Sequence, residues 1–277
     1  MRIGIDVSQH QLTWQSLLER VLFAEETGFD GAWVFDHFKP LYGDPTGPCL
    51  EGWTLLAALG AATSSIRLGA LVTGATYRHP SILATQAVTI DHITGGRLEL
   101  GMGAAWFQQE HTELGVEFPP TGDRVDRFED AVQIAKLLMT EDQVSFQGHH
   151  FKLERASYNP KPLQRPHPPL WIGASGEKRM LPIVGRHADV WHSFGNPSTL
   201  RRKGTIVEEH AIKAGRDPAG IVRSTALSLS EDWVSVRATA EQLREAGVTY
   251  VIASWPAEGQ GRVEEFVSGV MPALRAL

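Results

Sequence analysis

At 277 residues, 42% of them hydrophobic and 21% charged, the chain has the make-up of an ordinary globular protein, which excludes disorder and fibre, and its length is close to the about 250 residues of one α/β barrel. A formal net charge of -6 without a Lys/Arg run excludes a general nucleic-acid surface. The single cysteine, Cys49, excludes an intramolecular disulfide and a cysteine-rich metal site, and its Gly/Pro-rich surroundings make it incidental.

No apolar run approaches the roughly 20 residues of a membrane helix, and the N-terminus reads directly as a strand without a signal-like apolar core. A cytoplasmic location is therefore expected. Residues 1–7 alternate around Gly4 as Ile3, Ile5 and Val7, and a helix follows with Trp14, Leu17, Leu18, Val21 and Leu22 at helical spacing, Thr13 at its N-cap and Gly28 at its stop. The next strand, Gly31 to Phe35, is a short apolar run that ends abruptly in Asp36 and His37. A strand buried on both faces has no use for a carboxylate and an imidazole except at its end. A loop rich in Pro and Gly leads to a helix over 54–63 and a strand over 66–72.

Pro80 stands at the favoured first turn of the next helix, which Gly95 and Gly96 end. A strand from Arg97 to Leu100 then enters Gly101-Met-Gly-Ala-Ala-Trp106, and a helix over 124–139 places Phe128, Val132, Ala135 and Leu138 on one face. Between that helix and the next strand lies an excursion over 144–169. Its first part reads as a hairpin around Gln147 and Gly148, and its second part is too proline-rich for helix or central strand. The alternation resumes with a strand over 170–172, a helical stretch over 177–187 that Pro182 makes start late or kink, and strands over 188–192, 221–229 and 248–253. Helices over 200–214, 235–246 and 262–277 follow those three strands in turn.

Eight strand–helix alternations predict a (β/α)₈ barrel, with an open doubly wound sheet as the alternative, in one domain over residues 1–277 with an inserted hairpin and proline-rich flap. In a barrel, chemistry sits just beyond the strands' C-terminal ends. The candidates there are Ser8, Asp36, His37, Thr73, the 103–106 turn, Gly173, Ala174, Ser175, Gly176, His192, Ser254 and Trp255. The plain alternative for Asp36 and His37 is a cap and a satisfied surface histidine. The 173–176 turn has the composition to present backbone N–H groups to a phosphate at a helix N-terminus, or to be an ordinary tight turn.

No metal site is expected. No His-x-His follows the first strand, and Glu110-His111 and His149-His150 read as isolated pairs in ordinary surface or satisfied roles. Most tryptophans are expected in the core, with some near strand ends able to wall a flat ring.

Taken in order, several motifs carry a resemblance: Asp36-His37, Leu68-Gly-Ala-Leu-Val-Thr-Gly-Ala-Thr-Tyr-Arg-His-Pro80, Gly95-Gly-Arg-Leu-Glu-Leu-Gly-Met-Gly-Ala-Ala-Trp106, Asn159-Pro-Lys-Pro162 and Gly173-Ala-Ser-Gly-Glu-Lys-Arg179. Together they resemble the luciferase-like monooxygenase superfamily, and within it the coenzyme F420-dependent branch. The resemblance runs to about Trp191, and the last third shares only its pattern. It implies a TIM barrel binding a deazaflavin that transfers hydride at its C5. By the same resemblance, Asp36 contacts the cofactor and His37 lies near C5 as acid, base or orienter. A non-prolyl cis peptide would fall at Leu71-Val72 with Thr73 adjacent, Ala104, Ala105 and Gln109 match cofactor-touching positions, and Gly173, Ala174, Ser175 and Gly176 match the phosphate loop.

One departure is Trp106, which stands where sugar-phosphate dehydrogenases of this branch carry an acidic residue. Their substrate-phosphate cations also lack clear counterparts, so a sugar phosphate is not the expected substrate. The expected function is an F420-dependent oxidoreductase acting on a small organic molecule, with neither nucleic acid nor membrane as partner and a homodimer left open. The alternatives are an FMN-dependent monooxygenase of the same fold and a non-catalytic flavin or deazaflavin carrier.

Overall fold

The computed structural model describes all of residues 1–277. The chain runs β1 (Arg2–Asp6), α1 (Trp14–Glu26), β2 (Gly31–Val34), α2 (Gly52–Ala62), β3 (Arg67–Ala70), β4 (Thr73–Gly74), α3 (Pro80–Ile93) and β5 (Leu98–Gly103). It continues with α4 (Gln108–Leu114), α5 (Thr121–Thr140), β6 (Gln143–Gln147), β7 (Lys152–Ser157), β8 (Leu170–Gly173), α6 (Met180–His187) and β9 (Val190–His192). The last elements are α7 (Pro197–Lys213), β10 (Val222–Leu227), α8 (Trp233–Glu245), β11 (Tyr250–Ser254), α9 (Gln260–Gly269) and α10 (Met271–Arg275).

The main sheet has the order β3-β2-β1-β11-β10-β9-β8-β5-β4, and β3 also pairs with β5, which closes it. With β4 continuing the line of β3 past a two-residue interruption, this is the predicted parallel (β/α)₈ barrel. Its strands are apolar runs because both faces of such a sheet are covered. All four residues of β2 and all six of β5 are buried. No helix is long and apolar enough to cross a membrane.

Residues group into two compact units, one of Met1–Ser8, Gln15–Val34 and Ile172–Leu277, the other of Gln9–Trp14 and Phe35–Trp171. In the first, β1 is the middle strand between β2 and β11, in register Gly4↔Gly31 and Gly4↔Ile252, and β10 lies between β11 and β9. Ile3 and Ile5 are fully buried there, each worth about 1.5–3 kcal/mol of removed apolar surface.

In the second unit β3 and β4 both pair with β5, in registers Leu68↔Leu98 and Thr73↔Met102. The approach is so close at Gly101 that a Cβ there would lie 1.9 Å from the Ala70 carbonyl oxygen. Pro80 opens α3 with the His79 Nδ1 accepting the Ser81 N–H, and Gly95 and Gly96, both at positive φ, end it. The long α5 buries Val125, Phe128, Val132, Ala135 and Leu138 on one face, as its spacing predicts.

The hairpin prediction holds. Strands β6 and β7 pair antiparallel, and their turn is tied to α5 where the Asp130 carboxylate accepts the His150 N–H at 2.8 Å. The proline-rich flap is fastened to α3, because the buried Asp91 carboxylate accepts from Leu163 N–H, Gln164 N–H and the Gln164 side chain.

Three sequence expectations need correction. The 66–72 strand is interrupted at Leu71 and Val72, which join through a cis peptide bond, before β4 resumes. The last helix is broken at Val270, because Pro272 offers no N–H and its ring would collide with the carbonyl four residues back in a continuous helix. The helix α4 has no counterpart in the expected pattern. Its two buried residues are Glu110 and His111, so its inward face is polar and apolar periodicity cannot reveal it.

Candidate active site

The residues from the end of β2 onward converge on one carboxylate. His37 is nine-tenths buried, and its Nδ1 lies 3.0 Å from Oε2 of Glu110, which is itself fully buried. The other oxygen, Oε1, accepts the Phe38 N–H at 2.7 Å and the Lys39 N–H at 3.2 Å. Tyr77 donates its hydroxyl to Oε2. Burial pushes Glu110 up, but the hydrogen bonds from His37, Tyr77 and the Phe38 N–H outweigh it and hold the carboxyl below its ordinary range. Burial, reinforced by Glu110, raises the Tyr77 phenol, so this side chain stays a donor.

Tyr77 is placed from the other side by His111, whose ring stacks on it at 4.6 Å. The His111 Nδ1 donates to the Phe107 carbonyl at 2.8 Å and its Nε2 lies 2.7 Å from the Thr76 hydroxyl. Of the roles expected for Glu110 and His111, ordinary surface or satisfied, the structure shows the second. Both are buried and both are committed to the loops around His37.

Asp36 is 1% exposed and paired two-pronged with Arg78, one prong being Nη2 to Oδ1 at 3.0 Å. Arg78 also reaches Glu51, which caps α2 by accepting the Trp53 and Thr54 N–H groups. Burial raises the Asp36 carboxyl and the guanidinium pulls against it. Glu51 is raised by burial less than its cap hydrogen bonds and Arg78 lower it, so it lies below its ordinary range. The Trp53 indole N–H donates to the Thr73 hydroxyl at 2.9 Å, which fixes the residue beside the Leu71-Val72 bond.

Aromatic rings complete the surroundings of His37. Trp106 and Phe107 stand edge-on to its ring at 5.7 and 5.8 Å and stack on each other at 5.1 Å, and Trp106 is 64% exposed. Trp33, Trp53, Trp171 and Trp191 are core, as expected. Ala104 and Ala105 form the turn after β5, with Ala105 in the left-handed region at φ 61, and a Cβ added to Gly74 would meet the Tyr77 ring at 2.7 Å and the Ala105 Cβ at 3.3 Å. Gln109 is exposed on α4 and hydrogen-bonds Glu113 one turn on, so it is not drawn into this cluster. Cys49 donates to the His37 carbonyl, and burial pushes its thiol up to about 11, which fits the incidental role.

In the other unit, Gly173 ends β8, Ala174 is buried, and Ser175 and Gly176 are exposed. The Ala174 N–H donates to the His192 carbonyl and the Ser175 hydroxyl lies 3.0 Å from Ser193 Oγ. The expected helix N-terminus is not here. A turn over 177–179 intervenes, closed by Leu181 N–H to the Gly176 carbonyl, and α6 starts at Met180 with Pro182 in its first turn. The 173–176 segment thus lacks the direct help of a helix end.

The Luciferase-like monooxygenase family model matches residues 1–268. An F420-dependent glucose-6-phosphate dehydrogenase of Microbacterium testaceum is 30% identical over 219 residues, 79% of this chain and 58% of that protein. An FMNH(2)-dependent dimethylsulfone monooxygenase of Pseudomonas putida is 30% identical over 234 residues, 80% of this chain and 63% of that protein. The chain spans under two thirds of the length of both relatives. A solved F420-dependent secondary alcohol dehydrogenase, in complex with an F420-acetone adduct, superposes with a TM-score of 0.88 at 23% identity, covering 99% of each chain, and shares the fold.

Proposed function

Since the chain belongs to the luciferase-like monooxygenase family, we propose that it is an oxidoreductase that uses coenzyme F420 to move a hydride to or from a small organic substrate. The observation that carries this reading is the buried His37, anchored at Nδ1 by Glu110 and flanked by Trp106 and Phe107. A proton-handling imidazole against an apolar aromatic wall suits a reaction whose electrons the cofactor carries. The bound deazaflavin would supply two-electron hydride chemistry, while the protein binds, orients and excludes water.

The residues fit a flat ring. Ala104 and Ala105 add only methyl groups to the turn after β5, the Tyr77 ring packs over Gly74, and the buried Thr73 hydroxyl accepts from Trp53 and retains its own proton to donate. In this reading Asp36 holds the cofactor while bound to Arg78, and Leu71, Val72 and Thr73 support the ring. Gln109 would need to leave Glu113 to join them. His37 orients or protonates the reacting centre. Arg78 is committed to two carboxylates and Lys39 to Glu113, so this unit offers no spare cation beside His37 for a phosphorylated substrate.

Titration of the purified chain with F420 and with FMN, followed by tryptophan quenching, tests the cofactor, and tighter F420 binding is expected. Tighter FMN binding with oxygen consumption would replace this reading with the monooxygenase. His37→Ala should slow single-turnover hydride transfer at least tenfold with F420 affinity nearly unchanged, since general acid–base help is worth about 10²–10⁴. Asp36→Ala should mainly weaken affinity. Intact turnover in His37→Ala would reduce His37 to a packing residue.

A further inference from the structure

Resting on the reading of His37 as the proton-handling group, we propose that Glu110 is a positioning residue that dictates which nitrogen of His37 carries the proton. Nε2 is then the one nitrogen left to exchange a proton with a bound molecule. Glu110 receives four donors, namely the N–H groups of Phe38 and Lys39 on Oε1 and the Tyr77 hydroxyl and His37 Nδ1 on Oε2. A carboxylate in that setting is ionised and can only accept. The contact at 3.0 Å therefore requires a proton on Nδ1 of His37, and in the neutral ring the lone pair sits on Nε2.

The orientation is fixed as well as the tautomer. The carboxylate that holds the ring also holds the two backbone N–H groups that follow His37, so ring and loop share one anchor. A ring turned over about its axis would set a C–H against Oε2 and leave part of a buried carboxylate unsatisfied, which disfavours the flipped ring. Tyr77 cannot take over the role of proton acceptor, because burial and Glu110 keep its phenol protonated.

His10 is the neighbouring base. Burial lowers it to about 4, and its Nδ1 accepts the Leu41 N–H at 3.0 Å, so it stays neutral.

The sequence places this partner 73 residues from His37, on a helix without an apolar stripe. The test uses the cofactor-free chain. In a long-range ¹⁵N–¹H correlation spectrum recorded where the ring is neutral, with the His37 signals assigned by their loss in His37→Gln, the wild type should show Nδ1–H and an unprotonated Nε2. In Glu110→Gln the amide can donate or accept, so an Nε2–H population should appear. With F420 present, turnover of that variant should fall at least tenfold while F420 affinity stays within about threefold. Tyr77→Phe, which keeps the carboxylate, should retain the wild-type tautomer.

A wild-type spectrum with the proton on Nε2 and a bare Nδ1 overturns the proposal even if Glu110→Gln fails to fold. So does a folded Glu110→Gln that keeps both tautomer and turnover. The tautomer measurement needs no cofactor, so failure of F420 binding would sink the functional reading and leave this one standing.

Discussion

Replacing Arg78 with Met keeps most of the side-chain length and removes the charge from a nearly dry pair. The Arg78 side chain is 11% exposed and that of Asp36 not at all. Deleting one partner of a buried pair costs about 3–5 kcal/mol because the other charge is left uncompensated. For a chain of this size that is a fall in melting temperature of about 5–9 °C. The loss should depend on pH, with a sign fixed by Asp36.

Burial already raises this carboxyl, and without the guanidinium only the weaker pull of His37 opposes the rise. A carboxyl raised in the folded state contributes stability that is full below its unfolded value and is lost as pH climbs through the folded one. The deficit of Arg78→Met against wild type should therefore shrink as pH falls from 8 toward 5, by up to about 1.4 kcal/mol per pH unit. Urea unfolding at pH 5, 6, 7 and 8 measures it. Adding Asp36→Asn to Arg78→Met removes the stranded carboxyl and should recover at least about 1 kcal/mol at pH 8 and flatten the slope. A deficit that is constant with pH, or a double variant no better than the single, would refute the reasoning.

Two further outcomes follow from burial and close approach. His192 is 4% exposed, with Nδ1 3.1 Å from Ser224 Oγ, and burial lowers it to about 4. Its neutral form stabilises the fold fully above pH 6.5, and about 3 kcal/mol of that is lost as pH falls to about 4; a His192→Gln chain with an unchanged acid-side slope would count against it. Gly101→Ala drives a Cβ against the Ala70 carbonyl at 1.9 Å, backbone that cannot yield, and should cost about 3 kcal/mol or more. Gly269→Ala, with nothing within 4 Å of the added Cβ, should stay within about 0.5 kcal/mol in the same denaturant series.

Period and punctuation carried the barrel into the sequence reading. The apolar run of β2 is buried on both faces, and Pro80, Gly95 and Gly96 mark the ends of α3 as their backbone preferences require. Strand-end position also singled out Asp36 and His37. What position cannot supply is the partner. Arg78 meets Asp36 from another loop and ties it to Glu51, and Glu110 comes to His37 from a helix whose inward side is charged. Burial of a Glu or His is decided by donors that arrive from elsewhere in the chain, so the same Glu110-His111 pair reads as surface until Tyr77, Thr76 and the Phe38 backbone are in place. The 173–176 turn shows a different limit. Its glycines advertise a helix start that the 177–179 turn postpones.

The pairing of β1 has a consequence for synthesis. One edge of this strand meets β2, which leaves the ribosome soon after it, but the other meets β11, with Arg2 opposite Tyr250. At about 5–20 residues per second the nascent chain carries that second edge unpaired for roughly ten to fifty seconds. Ile3 and Ile5 wait with it, a short sticky edge of the kind that recruits foreign strands. Arrival of Tyr250 and its neighbours is therefore the event that gives β1 its second partner and takes that edge out of reach.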